Sequence, residues 1–184
     1  LIYELNGMSE YPKTHAWAQS DRYALSLGFL DNGFDFFHPQ TFVLNKQFPG
    51  DFKLPSENSI TAVDFPIHEF FIAGLMKVFS TSNPIVFRLY ILLYSLVGLF
   101  FLYKSAYLLT NSFSKSLLVF LFAASSPIYM YYQSGFLPSI PSISNAAIGL
   151  FFLIRYFKSN SIKIFYCSVA FFTLASLSRT PFAI

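Results

Sequence analysis

From Phe70 to Ile184 the sequence contains no Asp, no Glu and no His. All nine acidic residues lie between Glu4 and Glu69, and the three histidines are His15, His38 and His68. Any carboxylate base, carboxylate metal ligand or imidazole ligand therefore has to come from the stretch ending at Glu69. Charge of either sign is scarce: 11% of residues are charged, against about 25% in soluble domains. Cysteine is nearly absent. The single Cys167 excludes an intrachain disulfide and a cysteine-based metal site. No basic cluster of the RNA- or DNA-binding kind occurs, so the net charge of +3 is not the footprint of a nucleic-acid binder. A starting Met and a signal peptide are also missing. The chain opens at Leu1 in polar sequence and stops at Ile184 in apolar sequence. We therefore expect a fragment of a longer protein, continuing beyond both ends with further helices.

What is present is apolar surface. Hydrophobic residues make up 54% of the chain, with 25 Phe and 12 Tyr. That much apolar area in 184 residues needs lipid, or many partners, to cover it. After Glu69 the charges are all basic: Lys77, Arg88, Lys104, Lys115, Arg155, Lys158, Lys163 and Arg179. They punctuate long uncharged runs, as cations at helix ends do in membrane proteins. The expected fold is an all-α integral membrane protein, a polytopic helix bundle with a polar loop region.

That loop region spans residues 1–64 and the helices residues 65–184. Within the loop region the pattern predicts a juxtamembrane surface helix over about residues 14–30, capped by Thr14. Tyr23, Leu27 and Leu30 would share one face; His15, Gln19, Arg22 and Ser26 would share another. Asp31-Asn32-Gly33 is a stop and turn signal. Trp17 and Tyr23 suit the headgroup level of a membrane surface. The hydrophobic part divides into five segments, residues 65–79, 86–103, 116–133, 139–154 and 164–178. The uncharged run from Ser116 to Ile154 is long enough for nearly two crossings of a core of about 30 Å. Pro127, Pro138 and Pro141 point to a break near residues 134–138.

Arg155, Lys158 and Lys163 mark residues 155–163 as the cytoplasmic loop. Residues 135–141 and Arg179 then lie on the outer side. If residues 1–64 are also outside, three hydrophobic segments separate them from Gly135, an odd number. One of the three must fail to cross, and the sequence leaves open which.

The dense polar words are Thr14 to Tyr23 and Asp64-Phe65-Pro66-Ile67-His68-Glu69. Near the membrane the acids available are Asp21, Asp64 and Glu69. Each has an ordinary structural reading as well. Asp21 could sit in a salt bridge or on a solvated face. Asp64 and Glu69 lie where a helix begins and its dipole favours acids. A carboxylate as far into apolar sequence as Glu69 is nevertheless costly without a purpose. His15 and His68 read as hydrogen-bonded residues, since no pair shows the spacing of helical metal ligands. Trp17 reads as an interface anchor and Arg179 as a helix-end cation, although an outer-side cation runs against the positive-inside trend.

On these words the chain resembles the first third of a GT-C type polyprenyl-phosphate-sugar glycosyltransferase. The nearest groups are the protein O-mannosyltransferases and the lipid A aminoarabinose transferases. Asp21-Arg22-Tyr23-Ala24-Leu25 resembles the acidic pair and Arg-Tyr-Ala of the family's first outer loop. Asp64-Phe65-Pro66 resembles the acidic, Pro-containing word before the next helix. Ser125-Ser126-Pro127 with Tyr131-Tyr132 is similar to a Ser-Pro word. Leu137-Pro138-Ser139-Ile140-Pro141 is similar to an acid-X-Pro word. Leu177-Ser178-Arg179-Thr180-Pro181 is similar to a word that supplies a cation to the donor phosphate. The sequence also departs from the pattern. Aligned on Arg22-Tyr23, the acidic pair falls on Gln19 and Ser20. The later acid falls on Ser139, and a donor-loop Lys falls on Phe65.

The resemblance implies a membrane enzyme that moves a hexosyl or pentosyl group, with inversion, from a polyprenyl-phosphate-linked sugar to a glycan, lipid or protein acceptor. It implies catalytic residues among Asp21, Asp64 and Glu69, and donor-phosphate contacts from Arg22 and Arg179. His15, Trp17, Gln19, Tyr23 and His68 would line the sugar or acceptor cleft. Asp21 is the favoured base. No cofactor is expected, with a divalent metal left open and no metal site assigned. The partners are the lipid donor, the acceptor and the bilayer. The expected location is a bacterial inner membrane with the active site facing the periplasm. The missing acids at Gln19 and Ser139 keep two other classes in play, a non-catalytic polyprenyl-lipid binding or transport protein and an inactive homologue.

Overall fold

The computed structural model describes residues 15–41, 59–60 and 63–179. The chain forms two compact units, Leu1–Phe87 and Arg88–Ile184.

In the first unit α1 spans Ala16–Asp31 and is followed by β1, Gln40–Thr41. β1 pairs antiparallel with β2, Ser59–Ile60, and α2 spans Ile67–Val78. His15 occupies the N-cap of α1 with φ 53°; the expected cap, Thr14, lies outside the described residues. The helix stops where the turn signal stands. Gly33 takes φ 71°, and Phe34 N–H donates to the Phe29 carbonyl at 3.0 Å. Only glycine adopts that left-handed backbone without strain. Leu25, Phe29 and Ala73 form the core, with Leu30, Phe34, Val63 and Phe70 packed around them. Phe29 meets the edge of Phe70 at 5.4 Å. Gly28 lets α1 lie against β1: a Cβ there would sit 1.9 Å from the Gln40 carbonyl oxygen. Backbone cannot yield that far, so no larger residue fits this crossing.

The inward side of α1 is not the one its apolar stripe suggests. Gln19 and Ser26 are fully buried along with Tyr23, while Trp17 is exposed. The face carrying Gln19, Arg22 and Ser26 also carries Leu25 and Phe29, whose burial in the core turns it inward, and there Arg22 binds two carboxylates of its own unit.

The second unit is helical. Most of α3 (Pro84–Thr110) belongs to it, followed by α4 (Phe113–Ala124), α5 (Pro127–Tyr132), α6 (Ser139–Ser159) and α7 (Ile162–Ser178). Pro127 at the first position of α5 separates it from α4, since a proline cannot continue the hydrogen-bond ladder. A second break precedes Ser139 near the expected place, and Pro141 is accommodated in the first turn of α6. α3 and α6 run parallel. Tyr94 meets Asn145, Gly98 meets Ser144, Phe101 meets Phe151, and Lys158 Nζ donates to the Leu108 carbonyl. Gly98 makes the approach possible, because a Cβ there would lie 2.3 Å from Ser144 Oγ. Small residues at such crossings are how helices pack where lipid, not water, surrounds them. α7 returns antiparallel to α6, with Ser168 Oγ donating to the Gly149 carbonyl at 2.8 Å and Tyr156 5.2 Å from Phe165.

Among the described helices, Pro84–Thr110 and Ser139–Ser159 are long and apolar enough to cross a membrane. α4 and α7 are apolar but shorter. The 12 residues of α2 extend only about 18 Å, well short of a core of about 30 Å.

Candidate active site

Two of the three acids singled out in the first unit, Asp64 and Glu69, meet the cation Arg22 at one point. Arg22 projects from the second turn of α1. Asp64 precedes α2, and Glu69 stands in its first turn, where the helix dipole favours a negative charge. Arg22 Nη2 lies 3.0 Å from Asp64 Oδ2, and Nη1 lies 3.2 Å from Glu69 Oε1. One planar guanidinium thus holds two carboxylates that lie 42 and 47 residues away in sequence. The side chains are 13% exposed for Arg22, 32% for Asp64 and 1% for Glu69. Asp64 is therefore open to a substrate and Glu69 is not. Glu69 Oε2 is buried and has no hydrogen-bond partner among the described residues.

Burial pushes the Glu69 carboxyl above the usual carboxylate range, and Arg22 opposes the shift without cancelling it. Asp21 is half-buried and stands next to Arg22 without entering its fork. Burial raises its carboxyl too, again against the pull of Arg22. A partly desolvated carboxylate of raised basicity beside an already neutralised cation has the character of a general base.

The expected cleft residues are spread over the same two helices. His15 and Trp17 are exposed at the start of α1, and Gln19 is buried one turn on. The Tyr23 hydroxyl donates to the Ser82 carbonyl. His68 is 4% exposed, and burial holds its imidazole at about 4, below the ordinary 6.5. An imidazole kept neutral inside the fold takes up a proton once the chain unfolds. Its stabilising effect is present above pH 6.5 and is lost as pH falls toward 4. The full shift corresponds to about 3 kcal/mol. The melting temperature of the detergent-solubilised protein should fall across that window, and His68→Gln should flatten the fall. An unchanged slope in the variant would show that His68 is not its source.

In the second unit Arg179 forms the C-cap of α7, and its Nε donates to Ser139 Oγ at 3.1 Å. Two words 40 residues apart, Leu137 to Pro141 and Leu177 to Pro181, are thereby joined through their described residues. Where the resembling pattern has an acid, the serine oxygen accepts one hydrogen bond and leaves the charge of the guanidinium unneutralised. The rest of the Arg179 side chain makes no further hydrogen bond or ion pair among the described residues.

Two features were not singled out from sequence. Arg88 is 5% exposed, its guanidinium 4.9 Å from the Phe136 ring centroid. The available signal was one arginine inside a long apolar helix, which reads equally well as a helix-end cation. The second feature is a cavity of about 360 Å³, lined almost wholly by apolar groups including Gly98, Leu99, Leu102, Leu150 and Phe172. It arises where α3 and α6 meet at small residues, which no local sequence pattern encodes. Among the described residues no group of three or more His, Cys, Asp or Glu is placed to hold a metal.

A family profile described as dolichyl-phosphate-mannose-protein mannosyltransferase matches residues 63–184. The match takes in Asp64, His68, Glu69 and Arg179, while Asp21 and Arg22 precede it. No curated protein and no solved structure matches the chain.

Proposed function

Since the chain belongs to the dolichyl-phosphate-mannose-protein mannosyltransferase family, a family of membrane glycosyltransferases of the GT-C type, we propose that it transfers a sugar, with inversion, from a polyprenyl-phosphate donor to an acceptor hydroxyl on the outer face of a bacterial inner membrane. The observation that carries the reading is the Arg22 fork. It binds the Asp21-Arg22 word of α1 to Asp64 and Glu69, which lie inside the family match.

The proposed chemistry is one displacement. The acceptor oxygen attacks the anomeric carbon as the bond to the phosphate oxygen breaks. Charge builds on the sugar ring and on the leaving phosphate. Asp21 takes the acceptor proton. Both terminal nitrogens of Arg22 are engaged by carboxylates, so Arg22 serves mainly to hold Asp64 and Glu69. Arg179, whose Nη groups are uncommitted among the described residues, is the stronger candidate for the donor phosphate. Asp64 lies open enough to contact substrate. Of the expected cleft residues, His15 and Trp17 are open to a sugar or acceptor, while Gln19, Tyr23 and His68 are buried and support α1 and α2 from within. The apolar cavity of the second unit suits a segment of the polyprenyl chain.

For topology, we infer that α2 is the segment that does not cross, on the ground of its length. α3, the α4–α5 pair, α6 and α7 then alternate in direction. The end of the second unit with Arg179 and Ser139 faces outward, and the end with Lys158 and Lys163 faces the cytoplasm.

The test is donor profiling of the complete protein in lipid, against a panel of polyprenyl-phosphate sugars. One donor class should turn over. Arg179→Gln should raise its KM about 10- to 100-fold, the worth of a charge-assisted contact; Arg179→Lys should restore only part, lacking the planar fork. No turnover with any donor would favour the lipid-binding reading, for which the missing acids at Gln19 and Ser139 already speak.

A further inference from the structure

The end of the second unit opposite Arg179 gathers cations without a single acid. Residues 111–112 join α3 to α4 there, and residues 160–161 join α6 to α7. Lys158, in the last turn of α6, donates to the Leu108 carbonyl near the end of α3, and Tyr103 lies 6.4 Å from Phe113. These contacts bring both connections to the same end. Lys115, Arg155, Lys158 and Lys163 all stand within about one and a half turns of it, and all are exposed. Lys104 stands further up α3, its ammonium 5.5 Å from the Phe100 ring centroid.

The placement of two of these cations is locally unfavourable. Lys115 is the third residue of α4 and Lys163 the second of α7, and neither first turn contains an acid. A helix start carries partial positive charge and repels a cation. No Asp or Glu occurs anywhere after Glu69 to offset it. The apolar residues beside them are equally uncovered: Leu109, Phe113, Phe157 and Ile162 are all more than half exposed. Cations interleaved with exposed apolar side chains at the end of membrane helices occupy the zone where lipid headgroups meet acyl chains. The missing negative charge has to come from the surroundings.

We propose that this end is a binding surface for anionic phospholipid headgroups, with Lys115, Arg155, Lys158 and Lys163 engaging the phosphates of the adjoining leaflet. The surface is independent of the transfer chemistry: none of the four is assigned a role in it. Near an anionic surface each cation strengthens attraction about fivefold, and salt weakens it.

The experiment measures lipid bound to the complete, detergent-solubilised protein by native mass spectrometry. The probes are phosphatidylglycerol, phosphatidylcholine and soluble glycerol phosphate. Phosphatidylglycerol should bind at least tenfold tighter than phosphatidylcholine, and the preference should shrink on going from low to high salt. Arg155→Gln/Lys163→Gln should cut it markedly; neither side chain makes a bond the fold depends on. Adding Lys115→Gln and Lys158→Gln should abolish it, whereas Arg155→Lys/Lys163→Arg should keep it. Equal affinity for the two lipids overturns the proposal, as does a preference undiminished in the double variant. Glycerol phosphate binding as tightly as phosphatidylglycerol also overturns it, in favour of a soluble-anion site.

Discussion

Asp21→Asn should reduce the transfer rate about 10²- to 10⁴-fold, the usual contribution of a positioned general base, while leaving the donor KM and the melting temperature nearly unchanged. Asn has the shape of Asp and cannot accept a proton at neutral pH. Asp21 takes no part in the Arg22 fork, so the change should leave the packing of α1 on α2 intact. The comparison with Glu69→Gln is the informative one. Glu69 is 1% exposed, so in this conformation it cannot touch an acceptor. Its loss should lower stability more than rate. Asp64→Asn should fall between the two, because Asp64 is both partly open and tied to Arg22. Measuring kcat and KM separately for the three variants decides the base. Full activity in Asp21→Asn would remove it from that role, and a rate loss confined to Asp64→Asn would hand the role to Asp64.

The second large effect is on folding. Arg22→Ala should destabilise the protein by about 3–5 kcal/mol, because it strands a buried carboxylate without its counter-charge. The loss should depend on pH. The Glu69 carboxyl is already raised by burial, and without Arg22 the main opposing influence is gone. Above the ordinary carboxylate range an unfolded Glu69 gives up its proton, whereas the folded one retains it. The folded state then binds more protons than the unfolded state, so stability falls as pH rises toward the folded value. Arg22→Ala should thus lower the melting temperature more at pH 8 than at pH 5. Adding Glu69→Gln should recover most of the loss at pH 8, since the stranded group becomes neutral. If the double variant is no better than Arg22→Ala, the damage comes from lost packing of the arginine stem and not from the buried charge.

These two effects concern neighbouring residues of one helix, and their expected separation has a physical source. Residues 21 and 22 project about 100° apart around α1. One side chain joins the charge pairing with α2; the other remains outside it, half-buried and uncommitted. A structural cluster and a reactive group can then share a short word of sequence without sharing a role.

Much of the architecture could be read from the chain alone. Hydrophobic runs, proline positions and the turn at Asn32-Gly33 act over a few residues, and each left its mark where expected: α1 ends before Gly33, and the break before Ser139 follows the prolines. The confinement of all nine acids to the stretch ending at Glu69, with only cations after it, is likewise a property of the linear sequence. Membership of a membrane glycosyltransferase family accords with the apolar helices. Which groups meet was decided only by the tertiary structure. Arg22 could have faced water, Arg179 could have been a plain helix end, and Arg88 could have been a loop cation. The folded chain instead brings Arg22 to Asp64 and Glu69, Arg179 to Ser139, and Arg88 to Phe136. Each of these contacts joins residues at least 40 positions apart in the sequence. No periodicity records such a contact, because it depends on how whole helices pack. Burial itself, which raises Glu69 and lowers His68, exists only once that packing has excluded water.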